Sequence, residues 1–194
     1  MASFPHTAMI LGAGLGERAR PLSLVRPKPL FPVLNRPIIA HTLDHLGPLG
    51  LRQVVVNTHH LASRLEAYLS GFSHGPAIRT VREEVILGTG GGLRHAAPFL
   101  GRDPFLVING DIVTGVDLAA LAAEHEIHGP MATLVLHDCP AFNQVAVDGD
   151  GFIRGFRGNW PRSREEQGWR VLAFTGVHLV DPWVLTRLPE GPGD

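Results

Sequence analysis

The chain of 194 residues contains a single cysteine, Cys139, and a single lysine, Lys28. One cysteine excludes an intrachain disulfide framework and a cysteine-rich zinc site, and it suits a reducing compartment, so we expect a cytoplasmic protein. The rest of the 17 basic residues are arginine. A lone lysine in such a chain favours a position that needs a compact ammonium group, where a planar guanidinium group would not fit.

Long apolar segments and an excess of one charge are also missing. No apolar run is long enough to span a bilayer, and the opening stretch MASFPHTAMIL has no cationic start and too little apolar length for a signal peptide. The formal net charge of -1 provides no basic field for a nucleic acid. We therefore expect neither a nucleic-acid partner nor a membrane.

Strand and helix patterns alternate along most of the chain. Apolar runs predict strands at 7–11, 52–59, 77–83, 104–110, 131–137 and 171–180. Helices are predicted from 37 to a stop at Gly47, at 61–71, from the glycines at 88–92 to about residue 100, and at 116–129 with Asp117 as the cap. Residues 144–156 predict a hairpin. This order predicts an α/β fold with a mainly parallel sheet and helices on both faces.

A glycine-rich loop follows the first predicted strand, in the stretch AMILGAGLGERARPL at 8–22. Such a loop usually admits a phosphate or a nucleotide, because no side chain blocks the backbone N–H groups. The dinucleotide fingerprint fails, since its third glycine would fall at Glu17 and no acidic residue lies between Glu17 and Asp44. The P-loop also fails, because no Gly-Lys-Ser/Thr occurs. A dehydrogenase that binds NAD is therefore disfavoured.

Two spaced motifs resemble a known family. The first is GAGLGER at 12–18 followed by RPL at 20–22, and the second is PKPLFPV at 27–33. In this order they resemble the signature of the sugar-1-phosphate nucleotidyltransferases, which include muramate, mannose and glucose 1-phosphate enzymes. The stretches GTGGGL at 88–93, NGD at 109–111 and FTGVHL at 174–179 are similar to later parts of that family.

The resemblance implies a Rossmann-like three-layer α/β nucleotidyltransferase fold with a mainly parallel mixed sheet, in one domain over residues 1–194. It implies transfer of a nucleotidyl group from a nucleoside triphosphate (NTP) to a sugar 1-phosphate, which gives an NDP-sugar and pyrophosphate. We expect UTP to be favoured over GTP, and the product to serve NDP-sugar biosynthesis for the cell envelope.

The resemblance also implies roles for particular residues. Arg18 and Lys28 would contact the triphosphate, and Asp111, the third catalytic residue, would hold Mg²⁺, a cation that prefers oxygen ligands. Nucleotide contacts are implied for Leu11, Gly12, Ala13, Gly14, Gly16, Gly88, Thr89, Gly90 and Gly91. Sugar contacts are implied for Asn109, Thr175 and Gly176.

The sequence departs from the family pattern at two positions, one for the metal and one for the sugar phosphate. The second metal-binding aspartate of the family, in a motif well beyond FTGVHL, has no match, and neither Asp181 nor Asp194 fits it. The fold would then lack its C-terminal part, which would expose apolar surface or promote association into a homo-oligomer. The lysine that relatives place on the sugar phosphate is also missing, and Arg157, Arg162 or Arg164 could replace it. A non-catalytic module that binds a nucleotide or an NDP-sugar therefore remains the alternative.

Overall fold

The computed structural model describes residues 5–160, 168–188 and 191–193. Two compact units are present, one formed by the described part of Met1–Thr133 and His178–Asp194, the other by that of Leu134–Val177. Arg162, Arg164 and Asp194 lie outside the described residues, as does most of the predicted polar loop at 157–169. Within the described ranges, no helix combines the length and apolar character needed to cross a membrane.

The helices and strands follow the predicted order with shifts of a few residues at their ends. The helices are α1 (Ile38–Leu46), α2 (Ala62–Ser70), α3 (Gly88–Leu100) and α4 (Leu118–His128). The strands are β1 (Thr7–Leu11), β2 (Pro32–Val33), β3 (Arg36–Pro37), β4 (Gln53–Thr58), β5 (Ala77–Arg82), β6 (Phe105–Asn109), β7 (Ala132–His137), β8 (Val145–Val147), β9 (Ile153–Phe156) and β10 (Arg170–Val180).

The first unit is built on four parallel strands in the order β5-β4-β1-β6. β1 is therefore central, with β4 and β6 as its neighbours. The register places Leu11, the last residue of β1, opposite both Asn57 of β4 and Asn109 of β6. Because parallel strands end at the same edge of a sheet, these three residues lie side by side where ligands bind in open α/β folds.

Both faces of β1, β4 and β6 are buried, as expected for a parallel sheet between helices, whereas the outer strand β5 is largely exposed. On one face α3 packs through a cluster with residues of the strands: Met9, Val55, Val81, Leu93, Ala96, Leu100, Phe105, Val107 and Val180. Ile10, Val54 and Val56 alternate with the strand members of that cluster and are fully buried, so they face the opposite side of the sheet. The first unit therefore has the layers that the fold class predicted.

The cap predicted at Asp117 is confirmed. Its Oδ1 atom accepts hydrogen bonds from the N–H groups of Ala119 and Ala120, both at 3.0 Å, and so satisfies two of the free donors at the start of α4. Gly129 ends the helix with a φ of 55°, in the left-handed region that glycine adopts most easily.

The second unit is antiparallel and contains the predicted hairpin. β8 pairs with β9, with Val145 opposite Phe156, and β8 also pairs with β10. The turn is closed by Asp148, whose Oδ1 atom accepts from the N–H groups of Asp150 and Phe152. With the parallel strands of the first unit, this confirms the mainly parallel mixed sheet.

Candidate active site

A pocket of about 280 Å³ opens at the carboxyl ends of β1, β4 and β6. Small-molecule sites commonly occupy such an edge, where the strand ends present polar groups and the loops are free to diverge. The lining residues come from the glycine loop after β1, the PKP segment, the strand ends and the start of α3: Leu11, Gly12, Ala13, Gly14, Lys28, Pro29, Asn57, Ile86, Gly88, Thr89, Asn109 and Asp111.

The glycine loop after β1 lies close to its neighbouring strand. The Gly12 N–H group donates a hydrogen bond to Asn57 Oδ1 at 2.8 Å. A Cβ atom on Gly12 would stand 2.9 Å from the backbone oxygen of Asn57, so a side chain there would force the loop away from β4. Gly14 has nothing within 4 Å of the corresponding position and lines the pocket, which leaves its backbone open to a ligand.

Lys28 and Asp111, two of the residues predicted to be catalytic, meet in the pocket. Lys28 begins a short turn at Lys28–Leu30, between Pro27 and Pro29, and Asp111 follows β6. The Lys28 ammonium group donates to Asp111 Oδ2 at 2.5 Å, with the two side chains 26% and 36% exposed. Each group is thus held by the other while a ligand can still reach it.

Gly16 supports Lys28 although it does not line the pocket. Its φ of 67° lies in the left-handed region, and a Cβ atom would come within 3.2 Å of Lys28 Cγ and 3.0 Å of Ser23 Cβ. A larger residue at position 16 would therefore be strained and would push the lysine side chain aside. The absence of a side chain at Gly16 thus leaves room for the Lys28 side chain, and the nucleotide contact of Gly16 stays a prediction.

Three other predicted residues of this unit do not line the pocket. Arg18 is exposed, on the turn Glu17–Ala19. Gly90 and Gly91 are buried in the first turns of α3, against residues 191–193 of the same chain. The Gly91 N–H group donates to the Gly193 oxygen at 3.1 Å, and the Gly193 N–H group donates to the Leu87 oxygen at 2.8 Å. Their nucleotide contacts stay predictions.

The remaining predicted sugar contacts belong to the second unit. The Thr175 hydroxyl donates to the Val135 oxygen at 2.9 Å and accepts from the Val177 N–H group at 3.3 Å. Gly176 is buried with a φ of 87°. Arg157 is exposed, and its backbone N–H group donates to the Gln144 oxygen at 2.7 Å. Sugar binding by these residues stays a prediction.

Sequence reasoning missed Asn57, Pro29 and Ile86 as pocket residues. Asn57 could have been found, because it lies near the carboxyl end of a strand that was predicted correctly, one strand away from the glycine loop. Ile86 precedes the second glycine stretch and carries no chemical signal of its own. Pro29 is part of the PKPLFPV motif, in which only the charged Lys28 was predicted as a site residue.

The site offers Mg²⁺ one carboxylate. Among the residues that the structure describes, no group of three histidine, cysteine, aspartate or glutamate side chains could hold a metal ion. Asp111 nevertheless fits the chemistry of this cation, which is often bound through one or two carboxylates, with substrate phosphates and water as the other ligands. Asp111 would hold Mg²⁺ in this way only together with a phosphate ligand.

The family model described as "Nucleotidyl transferase" matches residues 7–144, a range that includes every residue lining the pocket. The chain belongs to the sugar-1-phosphate nucleotidyltransferase family. The family resemblance carried by the two spaced motifs is thereby confirmed.

Individual relatives differ in the nucleotide that their names imply. The chain is 43% identical to N-acetylmuramate alpha-1-phosphate uridylyltransferase of Neisseria meningitidis, over 95% of this chain and 79% of the relative. It is 32% identical to mannose-1-phosphate guanylyltransferase of Mycobacterium tuberculosis, over 98% of this chain but only 53% of the relative. The chain therefore spans about half of some of its curated relatives.

A solved structure confirms the fold. The crystal structure of HddC from Yersinia pseudotuberculosis complexed with GMP-PN superposes with a TM-score of 0.80 at 18% identity, over 97% of this chain and 82% of that chain. Together with the observed sheet and layers, this likeness confirms the predicted nucleotidyltransferase fold.

Proposed function

We propose that the pocket binds a nucleoside triphosphate and that the protein transfers its nucleotidyl group to a sugar 1-phosphate. A phosphate oxygen of the sugar 1-phosphate attacks the α-phosphorus, a new P–O bond forms, and the bond to pyrophosphate breaks. Such a transfer depends mainly on in-line positioning and on neutralising charge, and it needs little covalent chemistry from the protein.

The observation that carries the proposal is the Lys28–Asp111 pair facing the glycine loop in one pocket. The backbone of Gly12–Gly14 lets a nucleotide approach closely, and the Lys28 ammonium group offsets negative charge on its phosphates. Asp111 is the carboxylate for Mg²⁺, which would supply further positive charge to the phosphates when bound. Arg18 is proposed as a second cation for the triphosphate, and Asn109 as a polar contact for the sugar 1-phosphate.

Uridylyl transfer is the preferred form of the proposal. It is supported by the 43% identity to a uridylyltransferase, against 32% to a guanylyltransferase. The acceptor is proposed to be the 1-phosphate of a hexose or a hexose derivative. The pocket volume of about 280 Å³ is near the lower end of the roughly 300–1,000 Å³ that is usual for small-molecule sites, and a nucleoside is a suitable occupant.

The test is pyrophosphate release by the chain with Mg²⁺, over a panel of four NTPs and the 1-phosphates of glucose, mannose and N-acetylmuramate. Nucleotide binding is measured in parallel by calorimetry, with Asp111→Asn as the control that keeps the shape of the side chain. We expect UTP to give the largest signal, and Asp111→Asn to remove the Mg²⁺-dependent part. Nucleotide binding without pyrophosphate release would favour the non-catalytic binding module. A nucleotide bound outside the pocket in a soaked crystal would contradict both the transferase and the binding module as proposed.

A further inference from the structure

Asn57, which lines the pocket, and Glu83, which is bonded to it, are buried polar side chains, and the proposed chemistry gives neither a role. The residues are 2% and 3% exposed. Glu83 directly follows β5, and its two carboxylate oxygens have different partners. Oε1 accepts from Asn57 Nδ2 at 2.7 Å, and Oε2 accepts from the Leu87 N–H group at 3.0 Å.

Asn57 extends this connection to the first glycine loop, because its Oδ1 atom accepts from the Gly12 N–H group. The hydrogen bonds therefore run from Gly12 through Asn57 and Glu83 to Leu87. Gly12 opens the loop after β1, and Leu87 immediately precedes Gly88 and the start of α3. The two glycine segments that line the pocket are thus joined through two side chains.

The chemistry of the connection permits a single orientation of the Asn57 amide. Its oxygen faces a donor and its nitrogen faces a carboxylate, so a flipped amide would place like groups against each other. There is also no spare room, since a Cβ atom on Gly92 of α3 would stand 2.8 Å from Asn57 Nδ2 and 2.9 Å from Glu83 Oε1. A buried network of this kind is rigid when every member has its partner and costly when one partner is lost.

We propose that Asn57 and Glu83 are positioning residues that fix the spacing between the Gly12–Gly14 loop and the Gly88–Thr89 segment. The inference rests on the proposed function for the identity of the ligand, a nucleotide held between these two segments. The coupling between the segments is a property of the chain alone and can be measured without any ligand.

Reversing the polarity of the pair provides the test. In Glu83→Gln, a single side-chain oxygen must accept from both Asn57 Nδ2 and the Leu87 N–H group. The new amide nitrogen would then face one of these two donors. In Asn57→Asp, two carboxylates face each other. In the double variant Asn57→Asp/Glu83→Gln, the new carboxylate accepts from the Gly12 N–H group and from the new amide, whose oxygen accepts from the Leu87 N–H group. The double variant has the same formal charge as the original pair and can remake all three hydrogen bonds.

Two readouts are measured on the full chain: amide hydrogen exchange at Gly12 and Leu87 without ligand, and the Kd for UTP. Each single substitution should weaken UTP binding by about tenfold, the change expected when a buried hydrogen-bonding group loses its partner. Asn57→Asp should also speed hydrogen exchange of the Leu87 amide, which Asn57 does not touch. Glu83→Gln should speed exchange of the Gly12 amide, which Glu83 does not touch. The double variant should return both readouts to within about threefold of the original.

The matched control is Gln53→Glu, the same amide-to-carboxylate change at the other end of β4. Gln53 Nε2 donates to the Phe99 oxygen at 2.6 Å, so the control loses a comparable hydrogen bond away from the glycine segments. It should leave the UTP affinity unchanged. If Asn57 and Glu83 only stabilised the fold, the single variants would have lower thermal stability, but their folded molecules would bind UTP with the Kd of the original chain.

The inference is overturned if each single variant keeps its UTP affinity, or if the double variant is no better than the worse single variant in both readouts. It is also overturned if exchange changes only at the amide in direct contact with the substituted side chain. If the unaltered chain binds no nucleotide while the exchange coupling is present, the proposed function fails and the coupling between the two segments stands.

Discussion

Replacing Lys28 tests its proposed role at the reacting phosphates separately from its contribution to stability. Lys28→Met keeps an unbranched side chain that is one atom shorter and removes the ammonium group that holds Asp111. A unit charge about 4 Å from a phosphate charge contributes about 4 kcal/mol at an effective dielectric constant of about 20. Loss of one preorganised donor in an enzyme site typically costs about 2.7–4 kcal/mol of barrier.

Because the Lys28 side chain is 26% exposed, solvent screening favours the lower part of this range. A cost of about 3 kcal/mol corresponds to a rate roughly 150-fold lower. Stability should change far less, by at most about 1 kcal/mol, because partly exposed ion pairs contribute little and Asp111 can be solvated. Lys28→Arg should recover only part of the rate, since a planar guanidinium group does not reproduce the compact charge of the ammonium group beside Asp111.

The assay is the initial rate of pyrophosphate release with saturating NTP and sugar 1-phosphate, and chemical denaturation checks the stability of each variant. A rate within about threefold of the original in a folded Lys28→Met variant would refute the assignment of Lys28 to the reacting phosphates. A large loss of stability with little loss of rate per folded molecule would show that the ion pair serves the fold instead.

Three further predictions concern the glycine loop, a helix cap and a partly buried histidine. Gly12→Ala should destabilise the chain by about 1–3 kcal/mol through crowding against Asn57, measured by chemical denaturation. Gly14→Ala should leave stability unchanged and weaken UTP binding by about tenfold in calorimetry, because its space is open until a ligand arrives. Asp117→Ala should lower the free energy of unfolding by about 1 kcal/mol, and Asp117→Asn by much less. Burial lowers the pKa of His178 to about 4, so the unfolded chain takes up the proton first as the pH falls below about 6.5. The free energy of unfolding should therefore drop by about 2 kcal/mol from pH 7 to pH 5, and His178→Gln should remove this part of the dependence. If the free energy of unfolding had the same pH dependence in the original chain and in His178→Gln, this prediction would be wrong.

The strands, the helices and the edge of the sheet at which the candidate site lies could be predicted, because each depends on local pattern or on chain order. β1 is an apolar run followed by glycines, and β6 is an apolar run followed by Asp111. Once the strands are known to be parallel, their carboxyl ends must share one edge, which brings the glycine loop after β1 and Asp111 after β6 to the same pocket. Lys28 lies well beyond the end of β1, so this edge argument does not place it.

The direction in which each glycine faces could not be predicted from the sequence. Gly88 lines the pocket, whereas Gly91, three residues later, is packed against residues 191–193. Glycine has no side chain whose burial preference would mark its direction, and the helical turn that separates the two positions is visible only when α3 is in place. The buried link through Glu83 was missed for a related reason, since a charged residue in a sequence is normally expected on the surface.

The position of Lys28 has a practical consequence for anyone who labels or immobilises this protein. Its only side-chain amine lies in the pocket, so an amine-reactive dye or sensor surface would acylate that group and replace its positive charge with a neutral amide. Such a preparation would lose the proposed nucleotidyl transfer although its fold was intact. Coupling through the thiol of Cys139, which lies in the second unit and is partly exposed, would avoid that chemistry.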